Sequence, residues 1–173
     1  DVFKDRVMKQ YDQNLYLLQK LEDTASVPGK KFVYAHLFIT HQPFVFTQDG
    51  GVRWPVHETP LAYRDQVIYF NKRIIPILKT IIEKSNPKPI IVLQGDHSYT
   101  KADERPKILN AYYLPDGGDK QMYDQISPVN TFRLIFNAYF GGDYPFLPDK
   151  SYVQDWDNRV FKYIPDSCVG ASK

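Results

Sequence analysis

The sequence has a single cysteine, no long apolar run and no excess of charge of one sign. Because Cys168 has no second cysteine to pair with, an intrachain disulfide and a thiolate metal cluster are excluded. No stretch approaches the ~18 consecutive apolar residues that indicate a membrane span. The 22 basic and 20 acidic residues are scattered and give a net charge of +2, so no nucleic-acid partner is expected.

The sequence starts at Asp1 without a methionine and runs directly into a helical pattern, and no basic-then-apolar pattern typical of a signal peptide opens it. We therefore expect a processed product or an excised piece of a longer protein. Its 173 residues, of which 43 % are hydrophobic and 24 % charged, are typical of a globular protein, and we expect one domain over residues 1–173.

Three helices are predicted from apolar spacing and from end signals. Apolar residues recur at intervals of three and four over residues 5–25 and 61–85, and Pro76 should kink or split the second helix. Ser127-Pro128 has the preferred order for a helix start, and Gly141-Gly142 provides the end. The expected buried stripe of this third helix is Val129, Phe132, Ile135, Phe136 and Tyr139.

Three strands are predicted, at 31–39, 89–93 and 107–114. The run at 89–93 is apolar without alternation, which is typical of a parallel strand buried on both faces. The order helix, strand, helix, strand, strand, helix indicates an α/β fold with a mainly parallel sheet flanked by helices. Residues 150–173 are expected to form an irregular tail with at most one short strand, at 159–164.

Polar side chains follow two of these strands. His41 comes after the first strand, and Asp96 and His97 come after the second, where ligand sites gather in open parallel sheets. A carboxylate and an imidazole suit Zn²⁺ or Mn²⁺, and Gly95 permits the turn that neighbouring residues need to reach one ion. The alternative for Asp96 and His97 is a solvated turn in which Asp96 accepts backbone N–H bonds. His41 could equally cap or pack a turn.

The remaining candidates for chemistry are weaker. His36 lies among aromatics in the first predicted strand and is expected to be a hydrogen-bonded core residue, whereas His57 is expected to be exposed in a long loop. Ser98 and Thr100 are near His97, but we expect turn residues there rather than members of a catalytic triad. The sequence has no G-x-S-x-G elbow, no phosphate-binding P-loop and no G-x-G-x-x-G after a strand.

Four stretches taken together resemble the carboxyl-terminal half of sulfatase-like enzymes of the alkaline phosphatase superfamily, in the branch that includes lipoteichoic acid synthases. They occur in the family's order within residues 31–149 and read KFVYAHLFITHQPFVF, NPKPIIVLQGDHS, KILNAYYLP and ISPVNTFRLIFNAYFGGDYPFL. The resemblance implies an alkaline-phosphatase-like fold. It also implies that Asp96 and His97 bind a divalent metal, Zn²⁺ or Mn²⁺ with Mg²⁺ or Ca²⁺ as alternatives, and that His41 steadies the anionic oxygens of the substrate.

The chain departs from the family pattern in two ways. Ser98 replaces the usual glycine after Asp-His, which would cause strain if that position needs a positive φ. Family members carry the nucleophilic Thr or Ser and a further metal-binding carboxylate upstream of the His-x-Pro motif, and residues 1–30 offer no candidate for either. The resemblance thus implies half of an active site, with no catalytic nucleophile in this chain.

The expected function is therefore that of the carboxyl-terminal segment of a metal-dependent phosphoester or sulfoester hydrolase or transferase, inactive alone. Its expected partners are a phosphate- or sulfate-ester substrate and the missing amino-terminal half of the catalytic domain, and its expected location is the extracytoplasmic side of a membrane-anchored bacterial protein. The alternative is a non-catalytic binding or interaction domain on the same scaffold, which would hold a glycan or lipid headgroup with Phe44, Phe46 and Trp54.

Overall fold

The computed structural model describes residues 1–99, 104–155 and 157–165, and the chain divides into two compact units, Asp1–Lys88 and Pro89–Lys173. The helices are α1 (Val2–Asp23), α2 (Pro60–Lys84) and α3 (Pro128–Tyr139), and the strands are β1 (Ile91–Gln94), β2 (Asn110–Tyr113), β3 (Ser151–Asp155) and β4 (Val160–Ile164). The mixed α/β class predicted from the sequence is confirmed, whereas a single domain over residues 1–173 stays a prediction. Within the described ranges, no helix is long and apolar enough to cross a membrane.

The first two predicted helices are present, and each begins at a side-chain cap. Asp1 accepts a hydrogen bond from the Phe3 N–H at the start of α1, and Thr59 accepts one from the Ala62 N–H at the start of α2. The helix α2 continues through Pro76 as one element, so the predicted split is wrong. Proline removes one backbone donor, but packing of the apolar face on both sides of it keeps the helix together.

The core of the first unit includes the long loop between α1 and α2. Phe44, Val45 and Phe46 are completely buried, and the Phe46 ring stacks on Tyr69 of α2 with ring centroids 4.6 Å apart. The buried Gln66 side chain accepts a hydrogen bond from the Phe46 N–H at 2.9 Å. The loop is therefore fixed by packing against α2, rather than free to close over a ligand.

Residues 31–38, which we call the unpaired segment, do not form the predicted first strand. They have no strand partner among the described residues, and Phe32 and Tyr34 are 83 % and 78 % exposed. His36 is also exposed, so the prediction that it is a core residue is wrong. An apolar, β-branched composition favours a half-buried extended chain, but a β-strand forms only when a neighbouring strand provides backbone hydrogen-bond partners.

The described residues of the second unit form two sheets of two strands, and both sheets are antiparallel. In the first sheet, β1 pairs with β2 in the register Ile91↔Tyr113 to Gln94↔Asn110. No parallel pair occurs in the part of the chain that the structure describes. In the second sheet, β3 and β4 pair in the register Ser151↔Ile164 to Asp155↔Val160. The short strand predicted at 159–164 is present as β4, whereas the prediction of an irregular tail is wrong over β3. Cys168 lies outside the described residues.

The helix α3 begins and ends where the sequence predicts, with Ser127 at its N-cap and Gly141 in a left-handed conformation (φ +66°) just after its end. Its buried face agrees only in part with the predicted one. Ile135 is buried and Tyr139 packs against the core, as predicted, whereas Val129, Phe132 and Phe136 are 42–53 % exposed. The buried residues of the helix are Asn130, Thr131, Leu134 and Ile135. The last two pack with Leu114 and Ile126 in the core of this unit, and that packing determines which face is buried.

Residues 144–149, which we call the strap, run back along α3. Polar side chains on one face of the helix bind the backbone of the strap or, at its end, Asp149. The bonded pairs are Asn137 with Tyr144, Arg133 with Pro145, Asn130 with Leu147 and Ser127 with Asp149. Because these side chains are three or four residues apart, they lie on the same side of α3.

Candidate metal centre

Asp96 and His97 lie on a turn that directly follows β1. The last rung of the ladder is the hydrogen bond from the Gly95 N–H to the Leu109 carbonyl at 2.9 Å, and beyond it the chain bends away from the sheet. The Asp96 Oδ1 accepts a hydrogen bond from the His97 N–H at 2.9 Å, which fixes the carboxylate over the turn. As a result, Asp96 Oδ2 and His97 Nε2 are only 3.7 Å apart.

The second ring nitrogen of His97 is held by the turn itself. His97 Nδ1 lies 3.0 Å from the Ser98 carbonyl oxygen. Because a carbonyl only accepts hydrogen bonds, Nδ1 carries the proton, and in the neutral ring the lone pair is on Nε2, on the side of Asp96. This orientation by a backbone carbonyl is the usual way in which a metal-binding histidine is fixed.

The separation of the two side chains fits a shared divalent cation. Bonds from a zinc ion to imidazole nitrogen and carboxylate oxygen are about 2.0–2.2 Å each, and tetrahedral coordination places two such ligand atoms about 3.3–3.6 Å apart. The 3.7 Å between His97 Nε2 and Asp96 Oδ2 is close to this distance, so a small adjustment of the side chains would bring both atoms onto one ion. A nitrogen and a hard oxygen are also ligands that Zn²⁺ and Mn²⁺ accept.

This pair would be an incomplete site for a metal. The side chains of Asp96 and His97 are 80 % and 36 % exposed. Within the described ranges, no group of three or more His, Cys, Asp or Glu side chains could hold an ion. Structural zinc sites use four protein ligands and catalytic sites three, so two exposed ligands predict weak binding.

Ser98 is a turn residue, as the sequence predicts. Its N–H donates to the Arg105 carbonyl and its Oγ to the Glu104 carbonyl, both at 2.9 Å, so it ties the two ends of this loop together. Asp116 and Arg159 are the non-glycine residues with positive φ in the described part of the chain, so the strain expected at Ser98 is absent. Thr100 lies outside the described residues.

His41 lies in the first unit, whereas Asp96 and His97 belong to the second. Its side chain is exposed, with Nδ1 2.6 Å from the Gln42 carbonyl oxygen and the ring edge against Phe38. This arrangement fits the packing of a turn, and a role for His41 beside Asp96 and His97 stays a prediction. His57 is exposed, as the sequence predicts.

The long loop between α1 and α2 does not expose the aromatic ring surface that a glycan site would need. Phe44 and Phe46 are completely buried, so the prediction that they contact a ligand is wrong. Trp54 is 39 % exposed and contacts Phe3, with Lys4 Nζ 5.8 Å from its ring centroid. Two of the three proposed stacking residues are therefore part of the core.

The structure also contains an open cleft of about 560 Å³ in the first unit that the sequence does not indicate. It lies between the polar face of α1 and the end of the unpaired segment. Its lining includes Arg6, Lys9, Gln13, His36 and Phe38. Polar residues at helical spacing are equally typical of a solvated helix face, so the sequence has no signal that separates the two.

No family model, no curated protein and no solved structure matches this chain. The family resemblance therefore depends on the four sequence stretches and on the arrangement of Asp96 and His97.

Proposed function

We propose that this chain is the carboxyl-terminal part of a metal-dependent phosphoester or sulfoester hydrolase or transferase with an alkaline-phosphatase-like fold. The observation that supports this proposal is the Asp96–His97 pair, in which a carboxylate oxygen and an imidazole nitrogen lie 3.7 Å apart on a turn beyond a strand. In the proposed complete domain, β1 belongs to a mainly parallel sheet that the missing amino-terminal half completes.

In this proposal Asp96 and His97 hold the divalent cation, Zn²⁺ or Mn²⁺, with Mg²⁺ or Ca²⁺ as alternatives. The bound cation supplies positive charge that favours ionisation of a nucleophilic hydroxyl and offsets charge on the ester oxygens. The Ser98 carbonyl keeps the His97 ring in the orientation that presents Nε2, and the His97 N–H keeps Asp96 over the turn. His41 donates a hydrogen bond to an anionic oxygen of the substrate.

The nucleophile and a further carboxylate ligand come, in this proposal, from the missing amino-terminal half. Two exposed ligands and no third one among the described residues support this division of the site. The substrate is a phosphate or sulfate ester, because both present a tetrahedral oxyanion to the same charges. The proposed location is the extracytoplasmic side of a membrane-anchored protein.

The metal site is tested by calorimetric titration of the chain with Zn²⁺ and with Mn²⁺. We expect weak binding to the wild-type chain and a loss of at least about tenfold in affinity in His97→Ala, since one of two ligands is removed. His57→Ala is the matched control, because it removes an exposed histidine from the first unit. Equal affinities in His97→Ala and His57→Ala would refute the metal site.

The incompleteness of the site is tested separately with aryl phosphate and aryl sulfate substrates. We expect no turnover by this chain in the presence of Zn²⁺ or Mn²⁺, because in this proposal the ester is attacked by a Thr or Ser hydroxyl that the missing amino-terminal half supplies. Turnover that Asp96→Ala abolishes would show that the chain holds a complete site and would contradict the half-site part of the proposal alone. The glycan-binding alternative loses its support, since Phe44 and Phe46 are buried.

A further inference from the structure

The cleft in the first unit has a basic lining without a counter-charge. The charged side chains in this lining are Arg6 and Lys9, which are three residues apart and therefore share one side of α1. Neither side chain makes a hydrogen bond or an ion pair with any of the described residues. Within the same part of the chain, no Asp or Glu lines the cleft. Two unpaired positive charges beside one cleft favour a negatively charged ligand.

A buried amide in the same lining has a donor to spare. Asn14 lines the cleft and is 2 % exposed, and its Oδ1 accepts a hydrogen bond from the Phe38 N–H at 3.0 Å. Its Nδ2 donates to the Gln10 carbonyl at 2.9 Å. Because an amide nitrogen carries two N–H groups, the second one has no acceptor among the described residues. A buried donor without an acceptor is unfavourable, and an oxygen atom of a ligand in the cleft would satisfy it.

The wall opposite α1 is aromatic and fixed in place. The rings of His36 and Phe38 contact each other with centroids 4.4 Å apart, and Phe38 is 44 % exposed. The bond from Phe38 to Asn14 anchors this wall to α1, and Gln10 Nε2 donates to the Pro43 carbonyl at 3.3 Å. The volume of about 560 Å³ is within the range of about 300–1,000 Å³ that is typical of small-molecule sites. A ring surface beside positive charges suits a ligand with an apolar part and an anionic group.

We propose that this cleft binds a small organic phosphate monoester. The phosphate group lies between Arg6 and Lys9 and accepts a hydrogen bond from the second N–H of Asn14, while the organic part packs against Phe38. A phosphate monoester carries a charge of about −1.5 to −2 at pH 7 and three acceptor oxygens, so it matches two cations and a neutral donor. A carboxylate or a sulfate monoester has a single negative charge and matches them less well. The inference goes beyond the proposed function, since it depends on no metal, no nucleophile and no cleavage of the ester.

The test is calorimetric titration of the whole chain with four probes, in a buffer with EDTA so that no cation is present at Asp96 and His97. Phenyl phosphate has both the dianion and the ring. We expect it to bind at least about threefold more tightly than phenyl sulfate, which has one negative charge, and than inorganic phosphate, which has no ring. Phenol has the ring without the charge, and we expect no binding of it. The affinity for phenyl phosphate should also fall as salt is added.

A matched pair of variants tests the position of the anion. Arg6→Gln should lower the affinity for phenyl phosphate at least about fivefold, because it removes one of the two cations of the cleft. Lys30→Gln is the control, since it removes the same charge from an exposed position of the first unit outside the cleft, and its effect should be within about twofold. Phe38→Ala should reduce the affinity for phenyl phosphate to that for inorganic phosphate. Circular dichroism checks that each variant is folded.

Four results would overturn the proposal. Phenyl phosphate does not bind, or it binds no more tightly than phenyl sulfate or phenol. Arg6→Gln and Lys30→Gln have the same affinity for it. Finally, His97→Ala abolishes its binding in EDTA, which would assign the ligand to the turn after β1. Loss of metal binding in His97→Ala does not affect these results, so this proposal and the proposed function can fail independently.

Discussion

Replacement of Asp149 by alanine should destabilise the second unit, because this carboxylate accepts four hydrogen bonds. Oδ1 accepts from the Ser127 N–H at 2.7 Å, from Ser127 Oγ at 2.5 Å and from Asn130 Nδ2 at 3.1 Å, and Oδ2 accepts from the Tyr123 hydroxyl at 2.6 Å. The Ser127 side chain makes no cap bond of its own, so the start of α3 is stabilised by Asp149.

The magnitude follows from the donors that Asp149→Ala leaves without an acceptor. Ser127 is 5 % exposed, so its N–H and Oγ both lose a partner in a region with little water. A buried unpaired donor costs about 1–3 kcal/mol, and loss of a helix cap about 1 kcal/mol. Because these terms overlap and Asp149 itself is half-buried, we expect a loss of about 3 kcal/mol in the free energy of unfolding.

The pH dependence of this effect has a definite sign. Burial alone would raise the pKa of the Asp149 carboxyl, but hydrogen bonds from Ser127, Tyr123 and Asn130 outweigh burial and lower the pKa below its ordinary value. A carboxyl whose pKa is lowered by folding contributes stability above its unfolded pKa of about 4 and loses it as the pH falls through the folded pKa. The difference between wild type and Asp149→Ala should thus be full at neutral pH and shrink in acid.

The assay is urea unfolding followed by circular dichroism, with hydrogen exchange of the first turn of α3 as the local measurement. Asp143→Ala is the control, because Asp143 is exposed and accepts no hydrogen bond from the described residues, and its effect should be within about 0.5 kcal/mol. If Asp149→Ala and Asp143→Ala shift the free energy equally, the cap assignment is wrong.

Three further predictions concern backbone and tyrosine positions. Gly50→Ala should lower the free energy of unfolding by about 2–4 kcal/mol in thermal or urea unfolding, since Gly50 has φ +89° and an added Cβ would lie 2.5 Å from the Tyr69 ring. Gly29→Ala is the control, because Gly29 has a similar φ of +82° but no atom near an added Cβ, and it should lower the free energy by about 1 kcal/mol. Equal losses would contradict the clash. Pro76→Ala should raise the free energy of unfolding by about 1–2 kcal/mol, because it restores a backbone N–H in the interior of the helix. Pro60→Ala is the control, since proline is tolerated at the first helical position, and it should change the free energy of unfolding by less than about 0.5 kcal/mol. No gain in stability from Pro76→Ala would count against this reasoning. Burial and the hydrogen bond to Asp149 raise the pKa of Tyr123 to about 12, so wild-type stability should fall between pH 10 and 12, and Tyr123→Phe should show a smaller fall in alkaline unfolding curves.

The sequence predicts the helices well because the signals for them are local. Apolar spacing and the Ser127-Pro128 pair place all three helices within a few residues of their observed bounds. The buried face of α3 was predictable only in part: Ile135 is buried as predicted, but the sequence does not separate Leu134 from Val129 and Phe132, because all three are apolar. The choice is made by Leu114 and Ile126, which pack against Leu134 and Ile135.

Strand pairing was the part that the sequence could not determine. The apolar run at residues 89–93, which overlaps β1, predicts a parallel strand, yet the partner of β1 is β2, and the two strands run antiparallel. Residues 31–38 have the composition of a strand but no neighbour among the described residues, because pairing depends on long-range partners. For the candidate site, the sequence shows that Asp96 and His97 follow a strand. The distance of 3.7 Å between Asp96 Oδ2 and His97 Nε2 depends on the conformation of the turn, which a hydrogen bond from Ser98 stabilises.

The hydrogen bonds that hold the strap determine which amino-acid sequences can form it. The side chains that hold it belong to α3, and over residues 144–147 they bind only main-chain atoms: Tyr144 and Leu147 use both N–H and C=O, and Pro145 uses its carbonyl. Pro145 and Pro148 thus occupy positions where no strap N–H is required. The hydrogen bonds from Asn130, Arg133 and Asn137 therefore place no demand on the strap side chains, whereas the ring contacts of Tyr144 with Phe136 and of Phe146 with Tyr123 do. The three polar side chains of α3 should thus accept different strap sequences that keep aromatic residues at 144 and 146 and an aspartate at 149.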